Sequence, residues 1–194
     1  KEVIQRKSNG PDVMHVHYND QGVLECDPET HGAGYLLSVA WTGFDSGAGR
    51  AMSTWLEMVA SRSALEAMDI ARECPQPTLC WVIADQNGHI GMQGCGRFPR
   101  RAPGHNGMVA VPAWLKRNHW RGYISQNDLP RIYDPPCGFV ATANEDVNQP
   151  GGPTLVTHPV PDYRKRRIID RLEQIPSATL KDMQQLQYDL VSVQ

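Results

Sequence analysis

The chain has 194 residues, of which 40% are hydrophobic and 21% charged, and its formal net charge is -2. That size and balance suit one folded globular unit, and they exclude the basic character expected of a partner for nucleic acid or an anionic membrane. The longest strongly apolar run, Tyr35 to Trp41, is far too short to span a bilayer.

In chain order, Glu2 to Gln5 reads as a strand, and Ser8-Asn9-Gly10 as the turn leading to the next one. Val13 to Tyr18 alternates with period two, and Asn19-Asp20-Gln21-Gly22 supplies turn chemistry before Val23-Leu24. Gly34 to Trp41 is expected to be a strand buried over most of its surface, followed by a loop from Gly43 to Arg50. Met52, Trp55, Leu56 and Val59 then recur at helical spacing. Ser63 with Glu66 opens a second helix carrying Leu65, Met68 and Ile70, which Cys74-Pro75 ends. Thr78 to Ala84 and His89 to Gln93 form a hairpin around Asp85-Gln86-Asn87-Gly88.

From Gly94 to Pro136 proline, glycine and tryptophan dominate, and a long excursion held by aromatic packing is expected. Gly138 to Asn144 reads as a buried strand whose tip presents one carboxamide. After a Pro/Gly-rich turn at Gln149–Pro153 come two helices, one with Arg164 in its first turn and one opening at Thr179 with Asp182. Helices and strands arranged in blocks, without regular βαβ units, indicate an α+β class with antiparallel sheets.

Few residues carry recognisable chemistry. Five cysteines at irregular spacing, with no CxxC pair, argue against zinc and leave at least one thiol free or paired outside the chain. His15 and His17 share a strand face but lack a third ligand, and His31-Gly32 has no serine or cysteine elbow beside it. The sequence has no phosphate loop, GxSxG elbow or HExxH. Arg164-Lys165-Arg166-Arg167, followed by Asp170 and Glu173, reads as a solvated helix face. On residue chemistry alone Asn144 is a strand-end turn former or an amide donor for an oxyanion, and Arg164 a surface residue at a helix start. Lys1 and Gln194 look like ends within a larger protein: a processed subunit, a proteolytic fragment or an excised piece.

An ordered set of segments makes the sequence recognisable. These are Trp81 to Gly91, Gly96 to Arg101, Gly104 to Pro112, Trp120 to Ile124, Leu129 to Phe139, Ala141 to Asn144, Tyr163 to Ile168 and Leu180 to Asp189. In these the chain resembles the β subunit of the penicillin acylases, including cephalosporin and acyl-homoserine-lactone acylases, which are N-terminal-nucleophile hydrolases. The resemblance runs from about Gly32 onward and is looser before it.

It implies that residues 1–194 are a single segment of the catalytic β subunit, without its nucleophile-bearing N-terminus. The implied fold is part of an αββα N-terminal-nucleophile sandwich with antiparallel sheets and a long Pro/Trp-rich excursion. The implied reaction cleaves the amide of an N-acylated small molecule, a β-lactam side chain or an acyl-homoserine lactone. The attacking hydroxyl is that of an N-terminal serine freed by autocatalytic processing, with the serine's own α-amino group as base. Asn144 matches the oxyanion-hole asparagine and Arg164 the arginine that orients it; Trp55 is a candidate wall of the acyl pocket. Ser8-Asn9, although the family's catalytic subunit opens on Ser-Asn, sits in a turn here.

Lys1 is not a nucleophile, so none is expected in this chain. The partners implied are other subunits of the same precursor, carrying the N-terminal Ser and the α subunit, and a small N-acyl substrate; no nucleic acid, membrane or cofactor is expected. No acid stands in Gly151 to Leu155, where a relative's later calcium ligand would fall, so no metal is expected. Relatives of this kind are often periplasmic or secreted. The family asparagine is usually followed by a second Asn; here Glu145 follows, expected to turn outward as a strand neighbour of Asn144. A catalytically inactive acylase-like scaffold or structural fragment is the alternative, and a carbohydrate- or peptide-binding module using the tryptophans a more distant one.

Overall fold

The computed structural model describes residues 1–31, 34–44 and 47–191. They divide into two compact units, Lys1–Ser46 with Pro99–Gly122 and Gly47–Phe98 with Tyr123–Gln194, where length alone suggests one.

In the first unit β1 (Glu2–Ile4) and β2 (Asp12–Met14) pair antiparallel with Val3 opposite Val13. β3 (Tyr18–Asn19), β4 (Gly22–Leu24) and β5 (Ser38–Val39) form a second antiparallel sheet in that order. Asn19 sets the hairpin: its Oδ1 accepts from the Gln21 and Gly22 amides at 2.9 and 3.2 Å, and from Ser38 Oγ at 2.9 Å. A Cβ on Gly22 would run into the Val39 carbonyl, so the end of β5 comes this close to β4 only because residue 22 is glycine. A four-residue helix, α1 (Pro28–His31), follows β4.

Two expectations fail in this unit. Val13 to Tyr18 is not one strand, since β2 ends at Met14 and β3 begins at Tyr18. The strand expected over Gly34 to Trp41 shrinks to Ser38–Val39, and Tyr35 is 86% exposed. Ladder bonds to β4 hold only those two residues. Tyr35 instead stacks on Trp114 at 5.6 Å, and Trp41 meets Phe44 edge-on. Pro99–Gly122 is irregular apart from a 3-10 turn at Lys116–Asn118.

The second unit is built on the strands β6 (Leu79–Ala84), β7 (Ile90–Cys95) and β8 (Arg131–Tyr133), all antiparallel with β7 central. Trp81 pairs with Gln93, and Gln93 with Arg131. Gln93 is fully buried yet satisfied, donating to the Gly94 carbonyl at 2.8 Å and accepting from Arg131 at 2.9 Å. β8 lies inside the stretch read as an excursion; it is short and bracketed by Pro130 and Pro135, which masked its alternation.

Helix α3 (Ala64–Arg72) lies against this sheet. Ser63 caps it by accepting from the Glu66 amide, and Ala64, Ala67, Met68 and Ala71 form its buried face. Gly91 on β7 leaves the room Met68 occupies. Helix α2 (Ala48–Val59) corrects another expectation: its buried residues are Ala51 and Thr54, whereas Met52, Leu56 and Val59 face outward. Small Ala51 lets the helix settle against Cys74, Cys95 and Trp81, and Thr54 returns its hydroxyl to the Arg50 carbonyl. Further on come α4 (Tyr163–Leu172) and α5 (Leu180–Gln187), the latter with a reciprocal capping box between Thr179 and Asp182. All strand pairs among the described residues are antiparallel, in keeping with the α+β class.

Candidate functional site

Gly138 to Asn144 is not a strand. Its backbone enters no ladder among the described residues, and side chains serve its polar groups instead. The Ala143 amide donates to Glu145 Oε2 at 2.7 Å, and Thr142 Oγ1 donates to the same oxygen at 3.3 Å. Arg164 Nη2 donates to the Ala143 carbonyl at 2.6 Å. Beyond the turn, Asn148 Oδ1 accepts from the Leu155 and Val156 amides, tying the loop to the apolar cluster of Ile124, Leu129 and Leu155. The Glu145 and Arg164 bonds serve the end of the segment, at Thr142 and Ala143, where the chain turns instead of continuing extended.

Asn144 sits at φ 64°, the left-handed region that asparagine tolerates better than most residues. Its Oδ1 accepts from Arg164 Nη2 at 2.8 Å. Guanidinium only donates, so the oxygen end of the amide faces Arg164 and the NH₂ end faces away. Among the described residues Nδ2 has no hydrogen-bond partner, and Asn144 is exposed. The sequence pairing of Asn144 with Arg164 is therefore met in space, on a loop and not at a strand tip.

Glu145 reverses the expectation placed on it. It is 6% exposed, and its Oε1 receives Lys165 Nζ at 2.7 Å. The left-handed Asn144 breaks the strand alternation that would have turned Glu145 outward. Burial works to raise the Glu145 carboxyl, but the Ala143 amide and Lys165 outweigh it and leave the group below its ordinary value. Lys165 thus offsets the Glu145 charge, and the guanidinium of Arg164 remains as excess positive charge beside the Asn144 amide.

The basic cluster on α4 is not a uniformly solvated face. Arg164 and Lys165 grip the Asn144 turn, Arg166 pairs with Asp162 at 2.9 Å, and Arg167 with Asp189 at 2.8 Å. Successive residues lie about 100° apart around a helix, so neighbouring cations reach different partners. The family resemblance singled out Asn144 and Arg164 but not Lys165, whose partner Glu145 was expected to face outward.

Trp55 engages Trp81 edge-to-face at 6.0 Å. His17 Nε2 lies 3.4 Å from Asp27 and His15 lies outside any strand; among the described residues no group of three His, Cys, Asp or Glu side chains is placed to hold a metal. Gly32 lies outside the described residues. Cys80, on β6, is raised by burial first and then by Glu145, with Lys165 opposing. An open groove edged by Arg50, Glu57, Glu66 and Glu73 contains none of the predicted site residues. No helix among the described residues is long and apolar enough to cross a membrane.

The chain is similar to several known proteins. It is 38% identical over 112 residues to the penicillin acylase 2 proenzyme of Pseudomonas sp. strain SE83, covering 57% of this chain and 14% of that protein. Along its whole length it is 29% identical to acyl-homoserine lactone acylase QuiP of Pseudomonas aeruginosa, spanning 22% of it. In structure it resembles a thermostable penicillin G acylase from Alcaligenes faecalis, with TM-score 0.75 and 19% identity, over 95% of this chain and 33% of that one. This last likeness shows the fold. The penicillin amidase family model matches residues 1–194, and the chain belongs to that family.

Proposed function

We propose that this chain is part of an amidohydrolase that cleaves N-acylated small molecules, with Asn144 donating a hydrogen bond to the oxyanion. The observation that carries the reading is the Asn144 amide, its oxygen held by Arg164 and its NH₂ left free. A donor fixed before the reaction, with positive charge behind it, suits the negative charge that develops on a carbonyl oxygen under attack. Membership of the penicillin amidase family, and relatives named penicillin acylase and acyl-homoserine lactone acylase, support amide cleavage as the reaction.

The attacking hydroxyl belongs to an N-terminal serine on another polypeptide of the same precursor. That serine's α-amino group accepts the hydroxyl proton while oxygen bonds to the carbonyl carbon, and the carbonyl electrons move onto the oxygen facing Asn144. Collapse breaks the C–N bond, the amine leaves with the proton, and water releases the acyl group. Arg164 acts through Asn144 as a positioning residue. Trp55 is proposed as a wall for the acyl chain. The test uses the complete, processed protein and a panel of N-acyl β-lactams and N-acyl-homoserine lactones. Asn144→Ala is expected to lower kcat about 10²–10³-fold with folding intact; turnover at the original rate would contradict the assignment.

A further inference from the structure

The turn that carries Asn144 is gripped from two directions, and only one grip has been given a role. Ala143, immediately before Asn144, has its carbonyl held by Arg164 and its amide held by Glu145. Glu145 spends its other oxygen on Lys165, the residue next to Arg164 on α4. Both polar groups of the residue preceding the donor are therefore anchored, through two adjacent side chains of one helix.

The Glu145 side chain is only 5% exposed. Burying a carboxylate is costly even when it is paired, here with a Lys165 whose side chain stays 32% exposed, so stability alone does not account for it. What it does locally is specific. Asparagine tolerates the left-handed region but also takes up others, so a single conformation of this turn needs further constraint. Glu145 supplies that constraint on the amide side of the turn, as Arg164 does on the carbonyl side.

We propose that Glu145 and Lys165 are positioning residues: together they hold the Ala143–Asn144 turn so that the Asn144 NH₂ keeps its aim. The inference rests on the oxyanion role assigned to Asn144. A donor that acts in the transition state but little in the ground state shows its loss in kcat, with KM little changed.

The experiment measures kcat and KM on an N-acyl substrate in the complete, processed protein, with rates normalised to titrated active sites. Four forms are compared: Lys165→Met, Lys165→Arg, the double variant Glu145→Met/Lys165→Met, and Asn144→Ala. Lys165→Met is expected to lower kcat roughly ten- to a hundredfold at little-changed KM, by letting the turn drift. Lys165→Arg keeps a cationic donor for Glu145 and should restore most of the rate. The double variant leaves no unpaired buried charge, so it remains informative if Lys165→Met fails to fold; its kcat should stay low. A double variant at the wild-type kcat overturns the inference, as does a loss that Lys165→Arg does not repair. If Asn144→Ala alone collapses turnover, the positioning role fails and the oxyanion reading stands. If Asn144→Ala is also fully active, the oxyanion reading itself fails.

Discussion

In the unit formed by Gly47–Phe98 and Tyr123–Gln194, Met68, Cys74, Gln93 and Cys95 are sealed from solvent; in the unit formed by Lys1–Ser46 and Pro99–Gly122, Ala102 is the only buried hydrophobic residue among those described. The first of these has a three-stranded sheet with six paired positions between β6 and β7, while the second relies on ladders of two or three pairs. Val3, Ile4, Val13, Met14, Tyr35 and Trp114 all stand substantially exposed there. The other unit also exposes Met52, Leu56 and Val59, so the two differ in what they bury and not in what they expose. Asn144, Glu145, Arg164 and Lys165 all belong to the unit with the core. Within it the Asn144 turn is held by side-chain hydrogen bonds, from Arg164 to Asn144 and from Lys165 to Glu145, on a helix that itself buries no residue.

Three substitutions or titrations would break or sharpen this contrast. The largest effect is expected from Met68→Ala, which removes a fully buried side chain from between α3 and Gly91. Urea unfolding of the whole protein should show a loss of about 2–5 kcal/mol. Tyr35→Ala, by contrast, deletes an exposed ring stacked on Trp114 and should cost about 0.5–1.5 kcal/mol. A cost for Tyr35→Ala equal to that for Met68→Ala would erase the distinction between the units.

The smallest effect concerns the hairpin end. His89 Nδ1 lies 2.6 Å from Asp134, whose other oxygen accepts from the Ile90 amide at 2.9 Å. The Asp134 hydrogen bond raises the His89 imidazole above its ordinary value, aided by the charge of the same group. Asp134 is lowered, first by the Ile90 amide and then by His89. The His89 contribution is present below the imidazole's unfolded value and fades as pH rises through its raised folded value. The Asp134 contribution is present above its unfolded value and fades as pH falls through its lowered one. Hydrogen exchange at the Ile90 amide should therefore be slowest, after correction for intrinsic rates, between those two titrations. A protection profile flat across both would remove the pair from the account.

Much of the core-bearing unit was legible. Ser63 before Ala64-Leu65-Glu66, the Asp85–Gly88 turn and the Thr179–Asp182 cap are local signals, and local hydrogen bonds realise each of them. The misreadings share one cause, that exposure is decided by what lies opposite. Met52, Leu56 and Val59 repeat at helical spacing, yet Ala51 and Thr54 take the buried face because closeness to Cys74 and Cys95 favours small residues. Gly138 to Asn144 has a strand's composition, but Glu145 and Arg164 hold its last residues, at Ala143 and Asn144, in a turn through their side chains. At the site, Asn144 and Arg164 were readable only through the family resemblance. The inward turn of Glu145 depends on a single positive φ, which alternation rules do not foresee.

The central claim concerns one donor, the Asn144 NH₂, and Asn144→Asp isolates it. Aspartate preserves the size of the side chain and an oxygen for Arg164 to hold, while replacing the NH₂ with a second acceptor. The decisive measurement is kcat for an N-acyl substrate in the complete, processed protein carrying this variant. With the melting temperature preserved, the account predicts a loss of at least about 10²-fold; a rate within a few-fold of the parent would contradict it.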